Sequence, residues 1–128
     1  MSNNLQNITR FVNLTPHDIV YQGVDGTRIT FPKSGKIAKI LNNNSSPKTF
    51  ATVNGIPIVS RSNFEGSIDG LPDPTPNTIY IVSAPVRAIL EARGIVRRDV
   101  VSPGTGPEDE PIRENGQIVA VTRFVTNS

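Results

Sequence analysis

The side chains that could take part in catalysis are few, and their spacing matches no known catalytic arrangement. His17 is the only histidine, and as a general base it would need a nucleophile and an orienting carboxylate nearby. Ser83 and Ser102 are candidate nucleophiles, and Asp18 and Asp99 are candidate carboxylates. No G-x-S-x-G elbow or comparable motif joins them. We therefore expect a protein that is not an enzyme, with a hydrolase that uses His17 as the third alternative.

The composition also argues against metal and thiol chemistry. The chain has no cysteine, which removes disulfides, thiol nucleophiles and Cys-ligated zinc. One histidine and scattered carboxylates without calcium-loop spacing do not make a metal site. The stretch Lys33-Ser34-Gly35-Lys36 lacks the upstream glycine and the following Ser or Thr of a phosphate-binding P-loop. We predict no metal and no cofactor.

A different group of residues could bind an anion without reacting with it. Ser83 precedes a predicted helix, whose free N–H groups attract negative charge. Arg97 and Arg98 follow that helix, and Ser102 to Gly106 form a Gly-rich turn that can present backbone N–H groups. Such a set could hold a phosphate or a ribose hydroxyl. The alternative is structural, because Gly-Pro turns usually reverse the chain and arginines after a helix balance its dipole.

Three further residues complete the predicted site. His17 and Asn13 would give polar contacts, and Tyr80 could stack on a planar ring. For His17 the alternative is that it braces the turn from Asn13 to Pro16 by hydrogen bonds. The predicted ligand-binding residues are Asn13, His17, Tyr80, Ser83, Arg97, Arg98, Ser102, Gly104 and Thr105.

A strand, a helix and a second strand must position most of this set. Thr78 to Val82 is mostly apolar, as expected for a central strand that is buried on both faces. Ser83 as N-cap, with Pro85 in the first turn and Gly94 after the last, predicts a short helix over about residues 84–93. Its apolar stripe is Val86, Ile89 and Leu90, which leaves Arg87, Glu91 and Arg93 to face water. Residues 95–101 are predicted to return as a short strand.

The rest of the chain favours short strands and tight turns. Asp25-Gly26, Asn54-Gly55 and Asn115-Gly116 predict three hairpins. We expect one domain over residues 1–128, of the α+β class but mainly β. Its core would be a small mixed or antiparallel sheet, or a partly open barrel, with several hairpins and one helix. Three further strands are predicted: a half-exposed strand over residues 36–41, a short strand over 64–68, and a strand interior to the sheet over 117–125. Residues 1–7 are expected to be frayed. Residues 42–48 are expected to form an exposed loop, and residues 69–77 a Pro-rich connector.

Charge and hydropathy limit the partners. The formal net charge is +2, too small for the concentrated basic face that sequence-specific nucleic-acid binding usually needs. The N-terminal residues combine no basic region with an apolar core, and no run approaches the ~20 apolar residues that span a membrane. We expect a cytoplasmic protein without a membrane partner.

Several motifs resemble those of a family of small, mostly uncharacterised bacteriophage proteins. They are NLTPH (13–17), PKSG (32–35), GLPDP (70–74), TIYIVS (78–83), RDVVSPGTGP (98–107) and the ending from Gly116 to Phe124. The resemblance covers nearly the whole chain, although Asn77 stands where relatives often have glycine and the segment 42–48 is longer.

The resemblance implies a small accessory protein made in the cytoplasm of an infected bacterium. Such proteins can sequester nucleotide-derived immune signals, for example cyclic ADP-ribose variants or cyclic oligonucleotides, without turnover and often as homo-oligomers. We therefore expect a small anionic, nucleotide-like ligand. The alternative is a structural or protein-interaction module of the phage, either a virion component or an inhibitor of a host protein. Exposed strand edges and the Pro-rich connector would then be its working surfaces.

Overall fold

The computed structural model describes residues 10–41, 48–60 and 67–127. The predicted frayed segment 1–7 and nearly all of the predicted loop 42–48 lie outside these residues. The strands are β1 Arg10–Asn13, β2 Ile19–Gln22, β3 Arg28–Phe31, β4 Lys39–Leu41, β5 Lys48–Val53, β6 Ile56–Ser60, β7 Ser67–Asp69, β8 Thr78–Ile81, β9 Val100–Pro103, β10 Ile112–Glu114, β11 Gln117–Ala120 and β12 Phe124–Thr126, with one helix, α1 Ala84–Ala92, and a single 3₁₀ turn, Pro107–Asp109.

A four-stranded sheet in the order β1-β8-β9-β12 forms the centre. β8 runs parallel to both β1 and β9, whereas β12 is antiparallel to β9. All four residues of β8 are buried, as predicted for a central strand. β8 and β9 are connected through α1, because parallel neighbours need a crossover.

The helix begins at the predicted residue and ends within one residue of the predicted boundary. It begins after Ser83, with Pro85 in the first turn, where the missing N–H of proline is not needed. At its end Gly94 has φ +69°. The N–H groups of Gly94 and Ile95 donate to the carbonyl oxygens of Glu91 and Leu90, both at 2.9 Å, which is the Schellman arrangement. The observed helix ends one residue before the predicted boundary.

Apolar side chains cover both faces of the central sheet, because neighbouring strand residues point to opposite sides. On the helix side, Val86 and Leu90 belong to the same buried cluster as Tyr80, Val82 and Val100. On the other side, Ile79, Ile81 and Val101 are packed by Ile19, Phe31 and Phe124. The sheet therefore separates two apolar layers, and α1 belongs to only one of them.

The smaller sheets have two strands each: β2-β3, β4-β7, β5-β6 and β10-β11. Three of them are the predicted hairpins around Asp25-Gly26, Asn54-Gly55 and Asn115-Gly116. The α+β, mainly β class is confirmed, and the described strands do not close into a barrel. Within the described ranges no helix is long and apolar enough to cross a membrane.

Four predicted strands differ from the observed ones. The last is split, because β11 ends at Ala120 and β12 forms an edge of the central sheet instead of its interior. Between β11 and β12 the Thr122 hydroxyl donates to the Asp109 carbonyl oxygen at 2.9 Å. This hydrogen bond holds the chain against the 3₁₀ turn. Residues 95–99 precede β9 as a turn, in which the Val100 N–H donates to the Arg97 carbonyl oxygen. The predicted strand 36–41 is reduced to β4, and of the predicted strand 64–68 the described part starts β7.

Candidate functional site

Arg97 is occupied by contacts within the chain. Its Nε and Nη2 atoms donate to the two carboxylate oxygens of Asp99, at 3.1 and 2.7 Å. Its Nη1 atom donates to the carbonyl oxygen of Pro72 at 2.9 Å. The side chains of Arg97 and Asp99 are only 16% and 21% exposed. Arg97 thus links the Pro-rich connector to the residues just before β9. Because three of its nitrogen atoms already donate hydrogen bonds, the Arg97 guanidinium has few donors available for a phosphate.

Ser102 is also used inside the protein, by an arginine that the sequence analysis placed in water. Ser102 is 1% exposed and lies within β9, not in a loop. Its hydroxyl oxygen accepts a hydrogen bond of 2.7 Å from Nε of Arg87. Nη1 of Arg87 donates to Oδ1 of Asn127 at 3.0 Å, and Nδ2 of Asn127 donates back to the Arg87 carbonyl oxygen at 3.2 Å. The Arg87 side chain is 20% exposed, which corrects the expectation that it faces water.

The predicted Gly-rich turn does not present a continuous series of free backbone N–H groups to a ligand. Pro103 is the last residue of β9, and a proline has no N–H. Gly104 is buried, and its N–H donates to the Arg123 carbonyl oxygen at 2.9 Å. A Cβ atom at Gly104 would lie 2.9 Å from that same oxygen, so glycine is required there by close packing. Thr105 is exposed.

The turn after β1 is braced mainly by Asn13. This residue is 2% exposed, and its Nδ2 atom donates to the carbonyl oxygens of His17 and Phe31, at 2.8 and 3.0 Å. Its Oδ1 atom accepts from the N–H and the hydroxyl of Thr15, at 2.9 and 2.7 Å. Four hydrogen bonds satisfy the whole amide. His17 is exposed and contributes its carbonyl oxygen to this turn.

Tyr80 lies in the core and is 5% exposed. Its hydroxyl shares a hydrogen bond of 2.6 Å with the Thr75 hydroxyl. Its ring belongs to the cluster under α1, so neither face is open to a planar ligand. Ser83 is half-buried at the N-cap, and its hydroxyl makes no capping hydrogen bond. Arg98 is exposed.

The nine predicted residues therefore do not form one open site. Contacts within the protein already occupy the polar groups or surfaces of five of them: Asn13, Tyr80, Arg97, Ser102 and Gly104. A hollow of about 270 Å³ lies elsewhere, and it is slightly smaller than typical ligand pockets. Its lining contains none of the nine residues and consists of Tyr21, Gln22, Gly23, Val24, Ile112 and Thr122. Among the residues that the structure describes, no group of three or more His, Asp or Glu side chains could hold a metal ion.

The hairpin of β5 and β6, residues 48–60, carries a different kind of surface, and we call it the hairpin arm. Its strands pair only with each other in the described part of the chain. Val53 lies opposite Ile56, and Ala51 lies opposite Ile58. Paired residues share a face, so Val53, Ile56 and Ile58 form one apolar face of the arm.

A large part of this apolar face is exposed, and no strand of the described residues pairs with the arm. Val53, Ile56 and Ile58 are 51%, 65% and 46% exposed. Val59 belongs to the opposite face by its position in β6 and is 45% exposed. Both faces of the arm are therefore open to solvent. The Asn54-Gly55 turn predicts the hairpin, whereas only the structure shows that this surface is exposed, although the alternation of Ile56, Pro57 and Ile58 indicates that one face is aliphatic.

No protein-family model, curated protein or solved structure matches this chain. The resemblance to bacteriophage proteins thus stays a prediction.

Proposed function

We propose that this chain is a protein-interaction module that binds another protein chain through the apolar face of its hairpin arm. The observation that carries the proposal is the exposure of Val53, Ile56 and Ile58 on a hairpin that pairs with no other described strand. An isolated two-stranded hairpin is marginally stable in water. A partner that covers this face would stabilise the arm while it is bound.

The size of the effect follows from the exposed fractions. Complete burial of a Val or Ile side chain is worth about 1.5–3 kcal/mol. These three residues are about half exposed, so covering each would contribute roughly 1 kcal/mol. The face alone would then supply roughly 3 kcal/mol per copy, which suits a weak or reversible contact unless hydrogen bonds along a strand edge add to it.

A second copy of the chain is the first partner to test, because homo-oligomers are the commonest assemblies. The weight-average mass would be measured by sedimentation equilibrium over a range of concentrations. Wild-type protein should associate, and Ile58→Thr should weaken the association about 30-fold, the equivalent of roughly 2 kcal/mol, because both copies carry the substitution. Val59→Thr is the matched control, because Val59 is equally exposed but lies on the opposite face.

A pull-down from lysate of infected bacteria tests any other protein partner. A protein that is captured by wild type and Val59→Thr, but not by Ile58→Thr, would support binding through the apolar face. If no chain, including a second copy, distinguishes the two variants, the proposal fails. In the setting that the resemblance implies, such a module would be a phage accessory protein that acts on a virion or host component.

Binding of a small anionic, nucleotide-like ligand is the second candidate. The observation that favours it is Arg87, whose hydrogen-bonded partners Ser102 and Asn127 are both neutral. The carboxylate of Glu91 lies 3.9 Å from Nη1 and is 69% exposed. This cation lies beside the parallel strands β8 and β9, and ligands of open α/β sheets bind at the carboxyl ends of such strands.

A thermal-shift assay with cyclic dinucleotides and ADP-ribose isomers tests this second candidate. A ligand present at 100 times its dissociation constant adds about 2.7 kcal/mol of stability. Arg98→Met should leave such a shift unchanged if Arg87 is the contact, and should remove it if the sequence-predicted Arg98 is. The absence of any shift in the wild-type protein would exclude these ligands.

A further inference from the structure

We infer that Asn54 and Asn115 are sites of spontaneous deamidation, and that the product at Asn54 places a negative charge at the tip of the hairpin arm. Each of these asparagines precedes a glycine at the turn of a two-residue hairpin. The inference about the modification stands on turn geometry alone. Its consequence for binding rests on the proposed function of the arm.

The reaction needs only water as a co-reactant. The backbone nitrogen of the glycine attacks Cγ of the asparagine, a C–N bond forms, and the side-chain amide leaves as ammonia with the glycine N–H proton. The cyclic imide that results is opened by water at either carbonyl group. The products are aspartate and isoaspartate, and both carry a new carboxylate.

Both turns leave the reacting groups accessible. Asn54 and Asn115 are exposed, with φ of 52° and 53°, and their side chains make no hydrogen bond to another described residue. In a two-residue hairpin turn the flanking residues, here Val53 and Ile56, make the closing hydrogen bond. The closing hydrogen bond of the turn therefore does not engage the N–H of Gly55. A Cβ atom built at Gly55 or Gly116 would meet nothing within 4 Å, so the attacking nitrogens are uncrowded.

Two other asparagines are protected by the fold. Asn13 and Asn127 are 2% and 5% exposed, and their side-chain amides are held by hydrogen bonds. The nitrogen that would attack Asn13 belongs to Leu14, whose N–H donates to the Ile81 carbonyl oxygen at 2.8 Å. The structure thus separates reactive from protected asparagines within one molecule, and the protected ones serve as internal controls.

Deamidation at Asn54 would change the surface that the proposed function uses. The new carboxylate would lie next to Val53 and Ile56, which are paired across the hairpin beside the turn. Covering these apolar residues would then require removing a charge from water, which is unfavourable. Isoaspartate would also add a methylene group to the backbone and break the two-residue turn. Association through the arm should weaken as the protein ages.

The test for the modification is peptide mapping by mass spectrometry after incubation of the intact protein in warm, mildly alkaline buffer. Peptides with Asn54 or Asn115 should gain about 1 Da, the difference between an amide and an acid, and those with Asn13 or Asn127 should not. Asn54→Gln and Asn115→Gln should each abolish the gain at their own site, because a glutamine would have to form a larger ring. Equal rates at the turn and buried asparagines, or no gain at all, would overturn the assignment.

Asn54→Asp tests the consequence for binding. This variant should associate severalfold more weakly than wild type in sedimentation, while Asn115→Asp, in the other hairpin, should not differ from wild type. Equal association of Asn54→Asp and wild type would overturn the consequence. If wild-type protein does not associate with any chain, the proposed function fails, whereas the mass measurement still decides whether Asn54 and Asn115 are modified.

Discussion

Replacement of Arg87 by methionine would show how much one guanidinium contributes to holding the helix, the central sheet and the chain end together. Methionine keeps an unbranched apolar stem and removes the donors to Ser102 and Asn127. Hydrogen bonds that involve a charged group are worth about 1.5–3 kcal/mol each. Because the Arg87 side chain is 20% exposed, water replaces part of this, and we expect Arg87→Met to lower the free energy of unfolding by roughly 2–4 kcal/mol.

Two single variants separate this contribution from a simple loss of charge. Arg98 is exposed, so Arg98→Met should change stability by less than about 0.5 kcal/mol. Glu91→Gln removes the weak ion pair of Arg87, in which Nη1 and Oε2 are 3.9 Å apart and Glu91 is 69% exposed. Its effect should also stay below about 0.5 kcal/mol.

A double-mutant cycle of Arg87→Met with Ser102→Ala measures the interaction itself. The coupling energy should be on the order of 1–2 kcal/mol, as for residues that share a partly buried hydrogen bond. Urea unfolding followed by circular dichroism gives these values, provided that the slope m stays constant across the variants. If Arg87→Met is no more destabilising than Arg98→Met, or if the coupling is absent, the idea of a clamp by Arg87 is wrong.

The remaining predictions concern a glycine and a turn carboxylate. Gly70→Ala should be more destabilising than Gly26→Ala by about 1–3 kcal/mol: both have positive φ, but only at Gly70 would the new Cβ atom meet a backbone oxygen, that of Ile37, at 2.5 Å. Urea unfolding of both variants checks this. Two hydrogen bonds from Thr27 lower the pKa of Asp25: the larger effect comes from the Thr27 N–H and the smaller from its hydroxyl. Because its pKa is depressed in the folded state, Asp25 stabilises the folded protein at pH values above the ordinary aspartate pKa of about 3.9. This stabilisation is lost as the pH falls through the lowered pKa. Thr27→Val should raise the pKa of Asp25, measured by NMR titration of the carboxyl carbon, and an unchanged pKa would contradict this cause.

The hairpins could be predicted from the sequence because their determinants are local. Asn54 and Gly55 both have positive φ, of 52° and 76°, which a type I′ turn demands and which Asn-Gly adopts at low cost. The same holds for Asn115 and Gly116. The boundaries of α1 were likewise predicted from Ser83, Pro85 and Gly94, since helix caps act within a few residues.

The contacts of the predicted site could not be found in the same way, because they join residues far apart in the chain. Arg87 bonds to Ser102 and Asn127, which are 15 and 40 positions away. The helical period placed Arg87 on the water side of an apolar stripe, but that period does not record that Ser102 of β9 and Asn127, just after β12, lie beside the helix. Such a polar contact from helix to strand leaves no periodic pattern in a single sequence.

Arg97 and Arg98 show why residue type alone is a poor guide to a binding site. They are neighbours with the same chemistry, yet Arg97 is held by Asp99 and the Pro72 carbonyl oxygen, whereas Arg98 is exposed. A ligand that bound Arg97 would first have to break a two-pronged ion pair and then match its energy. The apolar face of the hairpin arm requires no such exchange, because its side chains already face water. For this reason a protein partner at the arm requires less rearrangement than an anion at the predicted arginine pair.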